Sequence, residues 1–465
     1  MLSYFRLNDP YRLLGLFLIL LILYIPFLTG SLPASYPELK SIILGEKLRS
    51  GAAPYAEIID DTAPLTVYLH GFAHFLFGDS LVGRHLLAAL LIFIQSVLIG
   101  NIFIDKKIYP ESSFVPSIIY GMLFCLSFDN FALSGELIAI FFLLLALNSL
   151  YKELEFREES LEMVLRMGVY IGVASLLSFS FSIYLVCCFV ILFLYSRSSG
   201  RKFALLLAGY LIPHLLMISI HSMNGHASEL WTYFYVPNLS FATFRYISIG
   251  AWLNLIYLPV AFLVIAMIFL NRESRFTKYQ SQVLQAMFFW TVFSFIQVIF
   301  TKEFRPQSLI PLIIPFTFFI AHFLLLLRRR LIAELAFWLI VAGSLTVGLI
   351  ERHNTAESEV YARFIADEKN EAIKGKKILC LSDDLACYHG NQMSTPFVNW
   401  SLSKEIFEHP EYYENVLLVY EAFRRDPPDV VVDPHNLLKP FLEKIPEIKK
   451  QYAADASGYR MRSNK

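Results

Sequence analysis

Acidic side chains stand where long apolar segments of the chain begin or end. Glu38 follows the first such segment, and Asp129 and Glu136 flank the start of a later one. An ionisable group inside an apolar segment, such as Glu136, is costly and commonly functional. A carboxylate in such a position can act as a general base on a hydroxyl group. The competing interpretation is that these acids only complement the positive ends of helix dipoles.

A second pair of acids, Asp60 and Asp61, lies between the first two apolar segments. These carboxylates can contact a substrate, or they can cap the helix that Pro64 is expected to begin. His70 and His74 follow one helical turn apart, as metal ligands can. No third ligand lies near them in the sequence, so histidines on a helix face are favoured and a metal requirement stays open.

Three basic residues have the chemistry of phosphate ligands, namely Arg84, Lys302 and Arg305. Arg305 is preferred over Lys302, because a guanidinium group binds phosphate in a bidentate manner. The alternative is that all three are cations whose side chains extend from the membrane surface into water.

The composition indicates which elements must position these side chains. Of the 465 residues, 56% are hydrophobic and 17% are charged, with a mean hydropathy of +0.54, which exceeds what a soluble domain can bury. The apolar residues form blocks of roughly 18 to 22, the length that crosses about 30 Å of hydrocarbon as a helix. The blocks predict about eleven transmembrane helices, at residues 11–30, 82–103, 113–128, 132–151, 164–179, 181–196, 203–222, 250–270, 282–300, 308–327 and 331–350.

Positive charge sets the predicted orientation. Lys and Arg are concentrated in alternate loops, which marks those loops as cytoplasmic and places the N-terminus inside. This pattern predicts a multi-pass membrane protein with a cytoplasmic N-terminus, and we expect the membrane to be a bacterial inner membrane. Residues 1–350 form the transmembrane domain, with a periplasmic first loop at 31–80, and residues 351–465 form a periplasmic domain. The net charge of 0 indicates that the chain has no nucleic-acid partner.

The outer segments have local patterns of their own. Residues 37–49 and residues 64–77 each predict a helix that lies on the membrane surface. In the tail, the runs KKILCL and DVVVD predict buried parallel strands, which indicates a small α/β domain. Cys380 and Cys387 also lie in the tail, where a short-loop disulfide and two free thiols are equally compatible with the sequence.

The first hundred residues resemble a known family of membrane enzymes. The motif GAAPYAEIIDDTAPLTVYLHGFAHFLFGDS contains Asp60 and Asp61, with Glu38 before it and Arg84 after it, and FRPQSLIPLIIP places Arg305 before a late helix. These motifs are similar to those of the GT-C glycosyltransferases, specifically the RgtA/B/C/D-like, aminoarabinose-transferase-like and protein O-mannosyltransferase-like enzymes. The fold class implied is an all-α polytopic membrane protein of the GT-C type with a small C-terminal α/β domain.

The resemblance implies an enzyme that transfers a sugar from a polyprenyl-phosphate donor in the lipid bilayer to a glycan, lipid or protein acceptor. Such a site needs a carboxylate that deprotonates the acceptor and a cation that stabilises the departing phosphate. Glu38 is the candidate base, although the family more often has Asp at this place, and Glu136 is a second catalytic candidate. The residues expected to contact substrate are Arg84, Arg305, Lys302, Asp60, Asp61 and Asp129. No nucleotide cofactor is expected, because nucleotide sugars are not available outside the cytoplasm, and a divalent metal stays an open question.

Two other classes of function are compatible with the sequence. A protein with the same scaffold can be a non-catalytic subunit of envelope assembly or export, because a fold does not determine chemistry. A transporter would have paired charges or broken helices near the middle of the membrane, and few of the predicted helices contain either.

Reporter fusions test the predicted topology. We expect a reporter that distinguishes the two sides of the membrane to give the same signal at Ala52 and at Asn391, and the opposite signal at Ser199, because the positive loops mark the cytoplasm. Opposite signals from Ala52 and Asn391 would show that the predicted number of helices between them is wrong.

Overall fold

The structure is a computed structural model. The residues that it describes are 1–29, 34–156, 161–195, 200–240, 243–273, 276–357, 364, 375–455 and 458–462. Residues 31–33, at the start of the predicted first outer loop, and residues 358–363, near the start of the predicted tail, lie outside the described residues.

The described chain contains helices α1 to α20 and strands β1 to β7. The helices are α1 Leu2–Phe5, α2 Arg12–Leu28, α3 Tyr36–Arg49, α4 Pro64–Phe77, α5 Leu81–Asp105, α6 Val115–Leu123, α7 Gly135–Phe156, α8 Leu161–Leu177, α9 Ile183–Tyr195, α10 Gly200–Met223, α11 Ala227–Leu230, α12 Val236–Leu239, α13 Ile249–Glu273, α14 Lys278–Ile299, α15 Ile310–Leu326, α16 Arg330–Glu357, α17 Trp400–Glu408, α18 Tyr413–Arg425, α19 Lys439–Lys444 and α20 Pro446–Gln451. The strands are β1 Phe244–Arg245, β2 Glu303–Phe304, β3 Lys377–Cys380, β4 Gln392–Met393, β5 Val430–Val432, β6 Tyr452–Asp455 and β7 Gly458–Met461.

Each apolar block of the sequence is occupied by a helix. Among the described residues, seven helices are long and apolar enough to cross a membrane by length and composition. Three shorter apolar helices accompany them, at Arg12–Leu28, Val115–Leu126 and Phe179–Tyr195. The predicted fold class, a helical membrane protein with a small C-terminal sheet region, is confirmed, and the number of crossings stays a prediction.

Contacts within the chain divide it into two compact units. The helical unit comprises Met1–Ser31, Val82–Met217 and Phe241–Ala362. The mixed unit comprises Leu32–Leu81, Ile218–Ser240 and Arg363–Lys465. The mixed unit therefore combines most of the first outer loop with the C-terminal tail, two parts that the sequence pattern treats separately.

Helix α15 lies in the core of the helical unit. All of its residues from Ile310 to Leu325 are buried, and its neighbours are α6, α7, α13, α14 and α16. A helix that is apolar on every side is stable only where other helices surround it. The residues just before α15, including Arg305 and Gln307, are therefore held at the end of a buried helix.

The mixed unit contains a five-stranded sheet in the order β4-β3-β5-β7-β6. Strands β4, β3 and β5 are parallel, with Leu379 opposite Val431, and β7 is antiparallel to both β5 and β6. The two parallel strands predicted from KKILCL and DVVVD are therefore β3 and β5. Helix α3 covers one face of the sheet through Ile43 and Leu44, which pack in the same cluster as Ile378.

Glycine allows helices α8 and α10 to approach closely. A Cβ atom added at Gly209 of α10 would lie 2.3 Å from the carbonyl oxygen of Leu165, and one added at Gly168 of α8 would lie 2.3 Å from the carbonyl oxygen of Leu206. A backbone carbonyl cannot move aside as a flexible side chain can. Small residues at such contacts are typical of helix pairs in membranes.

Substitution of Gly209 tests this contact. We expect Gly209→Val to lower the thermal unfolding temperature of the purified protein in detergent, because the added side chain separates the two helices at a cost of about 1 to 3 kcal/mol. Gly200→Val is the matched control, since a Cβ atom at Gly200 meets nothing within 4 Å. Equal unfolding temperatures of the two variants would contradict the close helix contact.

Candidate active site

Asp129 lies in an irregular segment between α6 and α7. The chain there forms two one-turn 3-10 helices, Phe124–Leu126 and Phe128–Phe131. The carboxylate of Asp129 accepts a hydrogen bond of 2.9 Å from the backbone N–H of Gln307, which precedes α15. The carboxylate of Glu351 on α16 holds the same segment by accepting bonds from the Ser127 hydroxyl at 2.9 Å and from the backbone N–H of Phe128 at 3.0 Å.

Arg305 connects Asp129 with Glu136. Its guanidinium Nη1 lies 3.7 Å from Asp129 Oδ1, and its Nη2 donates to Glu136 Oε2 at 3.3 Å. Burial opposes the charge of Arg305, but the Asp129 and Glu136 carboxylates outweigh it and raise the pKa of the guanidinium above its usual value. These three residues form what we call the Arg305 cluster. The sequence places each of them at a helix end, and the fold brings them together.

The two carboxylates of the Arg305 cluster differ in accessibility. The side chain of Asp129 is 1% exposed, whereas that of Glu136 is 25% exposed. A buried charge is stable only if an opposite charge lies close to it inside the protein. Asp129 therefore compensates Arg305 inside the protein, and Glu136 is the member of the cluster that a substrate can reach.

A second group, the Lys40 cluster, consists of Lys40, Asp60 and Asp61 in the mixed unit. Lys40 Nζ lies 3.0 Å from Asp60 Oδ1 and 3.6 Å from Asp61 Oδ1. The side chain of Asp60 is 2% exposed and that of Asp61 is 20% exposed. Neither acid caps α4, because this helix begins after Ala63 without a side-chain hydrogen bond.

Asn399 fixes the position of the Asp61 carboxylate. Its amide Nδ2 donates to Asp61 Oδ1 at 2.8 Å, while its Oδ1 accepts from the backbone N–H of Ser401 at the start of α17. Because the carbonyl oxygen is engaged by a donor, the amide nitrogen must be the atom that faces Asp61. The backbone carbonyl of Asp61 accepts a further bond, of 2.9 Å, from Asn238.

Two strained residues stand beside the Lys40 cluster. Tyr55 and Thr395 both have a φ of 67°, in the left-handed region that bulky and β-branched residues rarely adopt. Tyr55 donates its hydroxyl to the Thr62 carbonyl at 2.6 Å, and Pro396, after Thr395, accepts from the Ile59 backbone N–H at 2.7 Å. Strain of this kind, about 1 to 3 kcal/mol for each residue, persists where surrounding contacts enforce it.

Glu38 closes the first turn of α3. Its Oε2 accepts hydrogen bonds from the backbone N–H and the hydroxyl of Ser35, at 3.0 and 2.9 Å, and the Ser35 side chain accepts in turn from the Glu38 N–H. This reciprocal arrangement is a capping box. Glu38 thus has a structural role, and its role as a base stays a prediction.

The remaining predicted residues occupy separate places. Arg84 is buried in the first turn of α5, and Lys302 is half-buried before β2. His74 Nδ1 lies 3.6 Å from Asp79, and His70 is buried. Across the described ranges, no group of three or more His, Cys, Asp or Glu residues could hold a metal ion.

Comparisons with known proteins give matches in structure. No protein-family model and no curated protein matches the chain. ArnT from Cupriavidus metallidurans bound to undecaprenyl phosphate matches with a TM-score of 0.51 and 12% identity, over 95% of this chain and 89% of that one. The same protein in the apo state gives a TM-score of 0.50, 12% identity and coverage of 93% and 88%.

The chain has a GT-C-like fold. At 12% identity the match establishes the arrangement of the chain rather than its chemistry. The chemistry of this GT-C-like chain therefore depends on its own side chains.

Three residues that the sequence analysis did not select lie in these groups or near them in the fold. Lys40 and Asn399 hold the acids of the Lys40 cluster. Arg245 is exposed on β1, which pairs with β2 so that Arg245 lies opposite Phe304, next to Arg305. The side chain of Arg245 forms no hydrogen bond or ion pair with any residue that the structure describes. Its place in a loop predicted to lie outside, where cations are scarce, is the signal that could have identified it.

Removal of Arg305 tests its role in the Arg305 cluster. We expect Arg305→Ala to lower the free energy of unfolding by about 3 to 5 kcal/mol, because it leaves the buried Asp129 carboxylate uncompensated. Arg245→Ala, at an exposed position in the neighbouring strand, is the matched control and should unfold like the unaltered protein. The measurement is thermal unfolding in detergent, and an Arg305→Ala protein as stable as Arg245→Ala would contradict the buried pairing.

Proposed function

We propose that this chain is a glycosyltransferase of a bacterial inner membrane that transfers a sugar from a polyprenyl-phosphate donor to an acceptor on the outer face. The observation that carries the proposal is the GT-C-like fold, which matches ArnT bound to undecaprenyl phosphate over 95% of this chain. The apolar helices provide the bilayer setting that a lipid-linked donor requires.

The transfer requires one base and at least one cation. The acceptor hydroxyl loses its proton, its oxygen bonds to the anomeric carbon of the sugar, and the bond between that carbon and the phosphate oxygen breaks. A carboxylate takes the proton, and a positive charge stabilises the departing lipid phosphate.

Asp61 is the base that we propose. A general base must reach the proton that it removes, and Asp61 is the more accessible acid of the Lys40 cluster, at 20% exposure. Asn399 holds the Asp61 carboxylate in one orientation. Asp60 is buried 3.0 Å from Lys40 and compensates that charge. Glu38, the base that the sequence predicts, is the alternative.

Within the helical unit, Arg245 is the residue that we propose to bind a lipid phosphate. A guanidinium group binds phosphate through paired hydrogen bonds when its own donors are not engaged. Arg305 already faces two carboxylates, so a phosphate would have to displace Glu136 from it. The side chain of Arg245 is exposed and forms no hydrogen bond or ion pair with a described residue.

Turnover with labelled carrier-linked sugar tests the base. We expect Asp61→Asn to lower turnover by roughly 10² or more while the protein remains folded, because the amide cannot accept the proton. Glu38→Gln is the matched control. Its amide oxygen can still accept the bonds from Ser35, so the capping box is kept and activity should be retained.

Binding of polyprenyl phosphate tests the role of Arg245. We expect Arg245→Ala to bind this lipid more weakly, because it loses a charge-assisted contact worth about 1.5 to 3 kcal/mol.

The outcomes separate the competing assignments. Full activity of Asp61→Asn together with loss in Glu38→Gln would move the base to Glu38. Full turnover by both variants would exclude Asp61 and Glu38 as the base and leave Glu136 as the candidate. Binding of the lipid phosphate without transfer from any supplied donor would favour the non-catalytic alternative, a subunit of envelope assembly or export built on the same fold.

A further inference from the structure

Cys380 and Cys387 are held close to each other by the backbone of the mixed unit. Cys380 is the last residue of β3, where it lies opposite Val432 in the sheet. Cys387 lies in a 3-10 turn, Leu385–Tyr388. The Cys380 N–H donates to the hydroxyl of Tyr388 at 2.8 Å, which fastens the turn to the end of the strand.

The two sulfur atoms share a hydrogen-bond acceptor. Cys380 Sγ lies 3.4 Å and Cys387 Sγ lies 3.2 Å from the same backbone carbonyl oxygen, that of Asp384. The neighbouring Cys387 thiol lowers the pKa of the Cys380 thiol, whereas burial raises the pKa of the Cys387 thiol. A thiol whose pKa is lowered is more readily converted to the nucleophilic thiolate.

The other three cysteines have a different setting. Cys125, Cys187 and Cys188 are buried in the helical unit, in segments apolar enough to lie in a membrane. A thiol surrounded by apolar side chains behaves as a small hydrophobic group. Cys387, by contrast, is partly exposed. Cys387 is therefore the cysteine that a thiol oxidant can reach, and Cys380, which is buried, can react through Cys387.

We propose that Cys380 and Cys387 form an intramolecular disulfide by exchange with a disulfide oxidant, such as oxidised glutathione or the oxidised form of a dithiol protein. Cys387 reacts first because it is the accessible thiol. Once it has lost its proton to water, its thiolate attacks one sulfur of the oxidant, which releases the first thiolate of the oxidant and leaves a mixed disulfide. The thiolate of Cys380 then attacks the sulfur of Cys387, forms the new bond and releases the second thiolate. The protein loses two hydrogen atoms, and the oxidant is reduced to two thiols.

The bond closes the loop that supports the start of α3. Within this loop, Asp384 accepts a hydrogen bond of 2.7 Å from the Tyr36 hydroxyl. Ala386 packs against Ala34 and Leu39. Cross-linking the ends of the loop removes conformations of the reduced chain in which these contacts are lost. The disulfide therefore stabilises the first turn of α3, which includes the capping box of Glu38, and this holds whether or not the proposed transferase function is correct.

Thiol mapping of the purified full-length protein tests the proposal. The protein in detergent is equilibrated with oxidised and reduced glutathione, quenched with acid, unfolded and alkylated, and the peptides are identified by mass spectrometry. We expect a linked peptide that joins Cys380 to Cys387, while Cys125, Cys187 and Cys188 are alkylated. Cys387→Ser is the matched variant, in which Cys380 should be recovered as an alkylated thiol.

Hydrogen exchange provides the second readout. Residues 35–39 should exchange more slowly in the oxidised protein than in the reduced protein, and Cys387→Ser should show no difference between the two buffers. Alkylation of both Cys380 and Cys387 in excess oxidised glutathione, or a lasting glutathione adduct on Cys387 without a linked peptide, would overturn the disulfide. A linked peptide without any change in exchange at residues 35–39 would overturn its effect on α3.

Discussion

Helix α15 is apolar on every side, and the helical unit is organised around its burial. Five other helices surround it, and its buried face is continuous from Ile310 to Leu325. Because a membrane offers no hydrophobic driving force between helices, the helical unit also depends on close packing elsewhere, as between α8 and α10 at Gly168 and Gly209. The burial of α15 has a chemical consequence. Arg305, just before the helix, must find its counter-charges inside the protein.

The two charged clusters follow one electrostatic rule. In each of them a single cation lies between two carboxylates, one deeply buried and the other partly exposed. The buried acid, Asp129 or Asp60, compensates the cation where water cannot. The exposed acid, Glu136 or Asp61, then remains accessible to a substrate while the neighbouring charge keeps it in place. This division separates the residues that maintain the structure from those that can take part in chemistry.

In the mixed unit, the position of the acidic loop at residues 59–61 depends on residues that are distant in the sequence. Residues 59–61 have no regular structure of their own. Two backbone hydrogen bonds hold Ile59, whose N–H donates to the Pro396 carbonyl and whose carbonyl accepts from the Asn399 N–H. The strain at Thr395 and Tyr55 indicates that these contacts are strong enough to impose an unfavourable backbone. Since Asn399 both begins α17 and binds Asp61, the stability of the sheet region and the geometry of the acidic loop are connected.

The amino-acid sequence determined the elements of this protein, because the length of an apolar block and the period of its pattern are local properties. The apolar helices, the strands β3 and β5 and the helix α3 all lie where the pattern predicts such elements, whereas the position of α3 on a membrane surface stays a prediction. The partners of the charged side chains were decided by the tertiary structure. Asp61 and Asn399 are 338 residues apart, and Arg305 and Glu136 are 169 apart, so only packing of the whole chain brings them together. For the same reason the sequence identified Glu38 as an acid at a helix start but could not distinguish a base from a capping residue.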